Sequence, residues 1–101
     1  MLPTKRITTH PGKILADEFL KPMGISAHAL ALALRVPANR ITAIVHGERA
    51  VTADTALRLG RYFGSSPEFW INLQSMYDLT RARAELGPAI ASEVRERERV
   101  A

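Results

Sequence analysis

Cysteine is absent from the 101 residues. No disulfide framework and no thiolate metal ligand is therefore available, and the absence fits a reducing cytoplasm. Long apolar runs are missing as well. None approaches the roughly 18 to 20 unbroken apolar residues of a membrane span. The opening Met1-Leu2-Pro3-Thr4-Lys5-Arg6 has no apolar stretch of the secretory kind. The groupings that carry catalysis are missing too. There is no glycine-rich phosphate loop. Asp17 and Glu18 are neighbours and point apart on a helix, so they make no acid–base pair. Ser26 and His28 lack the geometry of a nucleophile and its base. His10, His28 and His46 are not spaced as a metal set. These absences argue against an enzyme, a metal and a cofactor.

What is present fits one small domain. The length suits one compact unit and is too short for two. Apolar residues make up 47% of the chain, enough for a small helical core. The net charge is +4, and its placement is uneven. Residues 1–50 hold seven cations against three anions; residues 51–101 hold seven of each. The surplus sits in the first half, where it suits a phosphate backbone. Solubility alone would also account for it.

The chain divides into an arm over 1–9, a helical domain over 10–86 and a charged tail over 87–101. His10-Pro11-Gly12 opens the first helix, with Pro11 suited to the first helical position. Ile14, Leu15, Phe19 and Leu20 give it an apolar stripe. Pro22 and Gly24 are expected to end it. Ser26 caps a second helix. The alternation of Ala and Leu from 29 to 34 superficially suits a strand, but it contains no β-branched residue and is read as helix. Arg35-Val36-Pro37 breaks it. A third helix runs from about Pro37 or Ala38 to near Gly47, with Ile41 and Ile44 inward. Thr52 caps a fourth, striped by Ala56, Leu59 and Phe63. Ser66-Pro67-Glu68 starts a fifth, expected to run to Glu85 or Leu86, where Gly87-Pro88 interrupts it. The remaining Ser92 to Arg99 is mostly charged, a frayed helix or a disordered end.

Ser26 to Gly47 is the most informative stretch. Two short helices joined by a tight turn, the second polar at its start and apolar within, read as a helix-turn-helix that offers a recognition helix to the major groove of DNA. The motifs narrow this further. His10-Pro11-Gly12-Lys13-Ile14-Leu15, Asn39-Arg40-Ile41, Gly47-Glu48-Arg49, Thr52 to Leu59 and Phe63 to Trp70 together resemble the Xre/Cro-type helix-turn-helix proteins, and within them the HigA/VapI group of antitoxins. The resemblance covers residues 7 to 85. It implies an all-α, five-helix DNA-binding fold of the lambda-repressor kind, a dimer, repression of its own promoter, and a HigB-type toxin partner of the RelE-like ribonuclease class. Three positions depart from the pattern. Arg35 stands where glycine is common, Lys13 where the first helix usually has Glu, and Ala27 where related repressors often place Gln on a phosphate.

The residues assigned to DNA follow from this placement. Asn39 and Arg40 open the third helix; Asn reads adenine and Arg reads guanine with paired hydrogen bonds. Pro37, Ala38, Thr42 and Ala43 share that helix, the alanines offering methyls to thymine. Ser26, His28, Arg49 and Thr52 are assigned to the backbone, Ser26 and Thr52 at helix starts that favour anions. Lys5 and Arg6 form a basic arm that also suits DNA. The plain alternative for each is a solvated face, a cap or helix filler. The fifth-helix stripe of Phe69, Trp70, Leu73, Met76 and Tyr77 is wide for so small an interior, and is assigned in part to a two-fold interface. Such a dimer suits a palindromic operator in double-stranded DNA. Two other functions fit the same chain: a stand-alone regulator without a toxin, and a protein-interaction module that no longer binds DNA.

Overall fold

The computed structural model describes residues 6–98, and no strand occurs among them. Five helices carry the fold. The first, α1, covers residues 11–23 without a break. It begins as α-helix at Pro11–Ile14, widens to a π-helical segment at Leu15–Leu20 and returns to α-helix at Lys21–Met23. It is followed by α2 (Ala27–Leu34), α3 (Ala38–Val45), α4 (Ala53–Phe63) and α5 (Pro67–Glu93).

Local chemistry explains most boundaries. His10, Ser26, Thr52 and Ser66 each stand in extended backbone before a helix and accept an N–H from its first turn. Gly24 and Gly64 end α1 and α4 in left-handed backbone. Two proline expectations are corrected. Pro22 lies inside α1, and the break comes only at Gly24. The π segment just before it accounts for this: the Lys21 N–H reaches back to the Ala16 carbonyl, and the wider turn relieves the clash that a proline ring makes in a tight α-helix. Pro88 likewise lies inside α5, which runs on to Glu93 rather than stopping near Leu86.

The core is drawn from all five helices and the loop before α4. Leu15, Leu30, Ile41, Ile44, Leu59 and Trp70 are fully buried, with Val51 beside them. Trp70 is the largest of these. Its ring lies 5.0 Å from Phe19 and 5.0 Å from Phe69, and its Nε1 donates to Ser65 Oγ at 3.1 Å. Trp70 thus belongs to the core of its own chain. That corrects its assignment to an interface, since a fully buried ring has no surface to give a partner.

Candidate nucleic-acid interface

The turn between α2 and α3 is built from backbone bonds. Arg35 takes the left-handed conformation at φ 60°. The Val36 N–H then reaches the Ala31 carbonyl at 3.0 Å and the Arg35 N–H the Leu32 carbonyl at 3.2 Å. This paired closure is the usual one for a glycine; here arginine adopts it and the turn keeps its shape. Pro37 then starts α3 from extended backbone without a side-chain cap.

The orientation of α3 is set by three contacts. Ile41 and Ile44 face the core. The Gly12 backbone of α1 lies so close that a Cβ there would stand 1.7 Å from the Ile44 carbonyl oxygen. At the far end Gly47 turns left-handed, and the Glu48 N–H closes on the Ala43 carbonyl at 2.9 Å. His10 braces this end. Its Nδ1 accepts the Gly12 N–H at 2.9 Å, and its ring meets the Tyr77 ring edge-on at 4.8 Å. Burial holds the imidazole below its ordinary range; Asp78 opposes that shift and Arg81 adds to it.

The opposite face of α3 is open. Asn39, Thr42, Ala43 and His46 fall three and four residues apart, on one side of the helix. Asn39 and His46 are exposed, while Thr42 and Ala43 are half-buried. Thr42 Oγ1 bonds back to the Ala38 carbonyl at 3.3 Å. Ala38 packs against the core, so its expected contact with a thymine methyl is not supported by where it lies. His46 belongs to the exposed face although the sequence had suggested no role for it; its spacing from Asn39 and Ala43 was the available signal.

Arg40 flanks that face. Its Nη1 donates to Asp54 Oδ2 at 2.6 Å, and Arg58 Nε donates to the same oxygen at 3.1 Å. Arg58 also donates to the Leu34 carbonyl at the end of α2 at 2.8 Å. Hydrogen bonds from Arg58, then Arg40, hold the Asp54 carboxyl below the usual carboxylate range against some desolvation. Ser26 and Thr52 cap α2 and α4 through Ala29 N–H and Thr55 N–H, at 3.0 and 3.5 Å. His28, Pro37 and Arg49 are exposed, and Arg49 makes no ion pair among the described residues. Lys5 lies outside the described residues, and Arg6 is exposed. The loop between α3 and α4 has an anchor that the sequence did not suggest: buried Gln74 accepts the Val51 N–H at 2.8 Å and donates to Asp78 at 2.9 Å.

On α5, Phe69 and Met76 are exposed while Leu73 and Tyr77 are half-buried. Phe69, Leu73 and Met76 line a hollow of about 450 Å³ with Ile14, Thr8 and Thr9. Thr8 is tied there by its N–H to Thr80 Oγ1 at 3.0 Å.

Two short helices crossing at a fixed turn, the second with an open polar face and a buried apolar one, form a helix-turn-helix. The helix-turn-helix family matches residues 18–70. Virulence-associated protein I of Dichelobacter nodosus is 58% identical over 76 residues, which is 75% of this chain and 70% of that protein. Antitoxin HigA-1 of Vibrio cholerae is 41% identical over 83 residues, covering 82% and 78%. The structure of Pseudomonas aeruginosa antitoxin HigA with the higBA promoter superposes with a TM-score of 0.85 at 50% identity, covering 86% and 95%. The chain belongs to the helix-turn-helix family, in its HigA-type antitoxin branch.

Proposed function

We propose that this chain is a DNA-binding antitoxin that represses its own operon and neutralises a HigB-type toxin of the RelE-like ribonuclease class. The observation that carries the DNA half is the open face of α3, with exposed Asn39 and His46 beside Thr42 and Ala43. A groove-entering helix needs such a face, rigidly backed. The solved relative bound to the higBA promoter supports the same use. In this reading Asn39 contacts a base edge, Arg40 acts from the flank, and Ser26, His28, Pro37, Arg49 and Thr52 lie along the phosphates. The chain works by binding and not by catalysis, in the cytoplasm where its operator is. No helix among the described residues is long and apolar enough to cross a membrane.

A dimer completes the reading. Phe69, Leu73, Met76 and Tyr77 form its interface, and the two recognition helices then address half-sites about 34 Å apart. The test is a titration of a promoter duplex against a scrambled one. Asn39→Ala is expected to cost roughly 1–3 kcal/mol per half-site and to relax one base position. Arg49→Ala is expected to weaken both duplexes and to lower the salt slope by about one for each phosphate left unneutralised. Unchanged preference in a folded Asn39→Ala variant overturns the placement of α3. Co-expression with the product of the adjoining gene tests the toxin half: rescued growth and a co-purifying complex are expected. A chain with no toxic neighbour is a stand-alone regulator.

A further inference from the structure

Asp54 stands in the first turn of α4, where a carboxylate favours the helix dipole. That role needs neither of the arginines it holds. An anion here is also out of place, because it sits two residues from Thr52 on the side assigned to phosphates. The geometry gives it another task. Asp54 Oδ2 accepts from Arg40 Nη1 at 2.6 Å and from Arg58 Nε at 3.1 Å, while Arg58 Nη1 donates to the Leu34 carbonyl at 2.8 Å. This chain of bonds links the end of α2, the start of α4 and the recognition helix. The Arg40 side chain keeps 24% of its surface exposed, and Asp54 leaves the rest of its donor fork open.

An unpinned arginine on a protein surface samples many rotamers and finds phosphates anywhere on a duplex. A pinned one offers its fork in one direction. We propose that Asp54 is a positioning residue for operator recognition: by holding Arg40 Nη1 it aims the remaining guanidinium at one place on the duplex and restrains it from general phosphate binding. Arg58 fixes Asp54 in turn against the helix-turn-helix backbone. The proposal rests on the DNA-binding reading above.

Anisotropy titrations of the full chain test it. The probes are a duplex from the promoter immediately upstream of its own reading frame and a scrambled duplex of equal composition, over a series of salt concentrations. Asp54→Asn is expected to bind the scrambled duplex more tightly, with a salt slope steeper by about one per subunit. Its preference for the promoter is expected to fall roughly ten-fold. Asp54→Glu retains the charge and is expected to stay near the wild-type preference. In an Arg40→Ala background, Asp54→Asn is expected to change the preference no further. Thermal melts accompany each variant, and Asp54→Ser, which keeps a polar first turn, replaces Asp54→Asn if that chain does not fold. A promoter preference undiminished in the folded variant overturns the proposal alone. So does an equal loss with and without Arg40, which marks a general structural role. A wild-type chain without any promoter preference overturns the DNA-binding reading together with it.

Discussion

Arg35 occupies left-handed backbone that ordinarily favours glycine, and the turn it closes is intact. An L-residue there carries a penalty of about 1–2 kcal/mol, partly offset by the entropy that glycine would lose on folding. Arg35→Gly is therefore expected to raise stability by about 0.5–1 kcal/mol in a denaturant titration. Gly12→Ala is the opposite case. The added methyl meets a backbone carbonyl oxygen, which cannot rotate away as a side chain can. A loss of about 3 kcal/mol or more, or failure to fold, is the expected result. His10 gives a pH signature. Its Nδ1 must be unprotonated to accept the Gly12 N–H, and burial keeps its folded pKa below the ordinary 6.5. Between those two values the unfolded chain binds more protons than the folded one, so stability rises with pH. The His10 contribution is full above 6.5 and is lost as pH falls through the folded value. In melts across that window His10→Asn, which caps without titrating in this range, is expected to flatten the slope. The caps at Ser26, Thr52 and Ser66 were legible in the sequence because cap and recipient are three residues apart. The bonds of Arg40 with Asp54 and of Val51 with Gln74 were not, because they join residues 14 and 23 apart through the fold.

Among the helices, α2, α3 and α4 were readable because each carries its own start, apolar face and stop. The two misjudged ends both turned on proline. A proline inside a helix loses one hydrogen bond and crowds the preceding turn, but neighbouring structure absorbs that strain: the π segment does so for Pro22 in α1. Toward its end α5 carries i,i+4 pairs such as Arg81 with Glu85 at 3.0 Å. Pro88→Ala is expected to strengthen that end locally by up to about 3 kcal/mol. Slower amide exchange at residues 89–93, with little change in the global melt, is the measurement. Ending α5 at Leu86 left Ile90 outside the helix, and the stripe read from the sequence passed over Leu79 and Leu86 within it. Leu79, Leu86 and Ile90 follow Met76 at spacings of three, seven and four and are each about half exposed.

The whole molecule is elongated, 55 by 25 by 25 Å, with α5 as its long member. Its exposed apolar side reaches from Phe69 to Ile90, farther than a lone small domain needs. Light scattering at micromolar concentration is expected to give twice the chain mass. Met76→Glu is expected to shift that toward one, since it puts a charge among apolar groups without touching the core. A persistent monomer that still binds a palindromic site tightly would count against the dimer. Five helices and the position of the helix-turn-helix were legible at this scale, since periodicity and capping carry both. Which apolar residues turn inward was not: Trp70 and Met76 read alike in the sequence, and only the packing of Phe19 and Phe63 around the indole separates them.

The meeting of Gly12 with Ile44 has a consequence for divergence among related chains. The partner of Gly12 is a carbonyl, a group every amino acid supplies, so this close approach does not depend on which side chains the recognition helix displays outward. Asn39, Thr42, Ala43 and His46 can be exchanged for others while the seat of the helix stays as it is. On the proposed reading of α3, a lineage can thus acquire a new operator by changing this face one position at a time, and keep the same scaffold throughout.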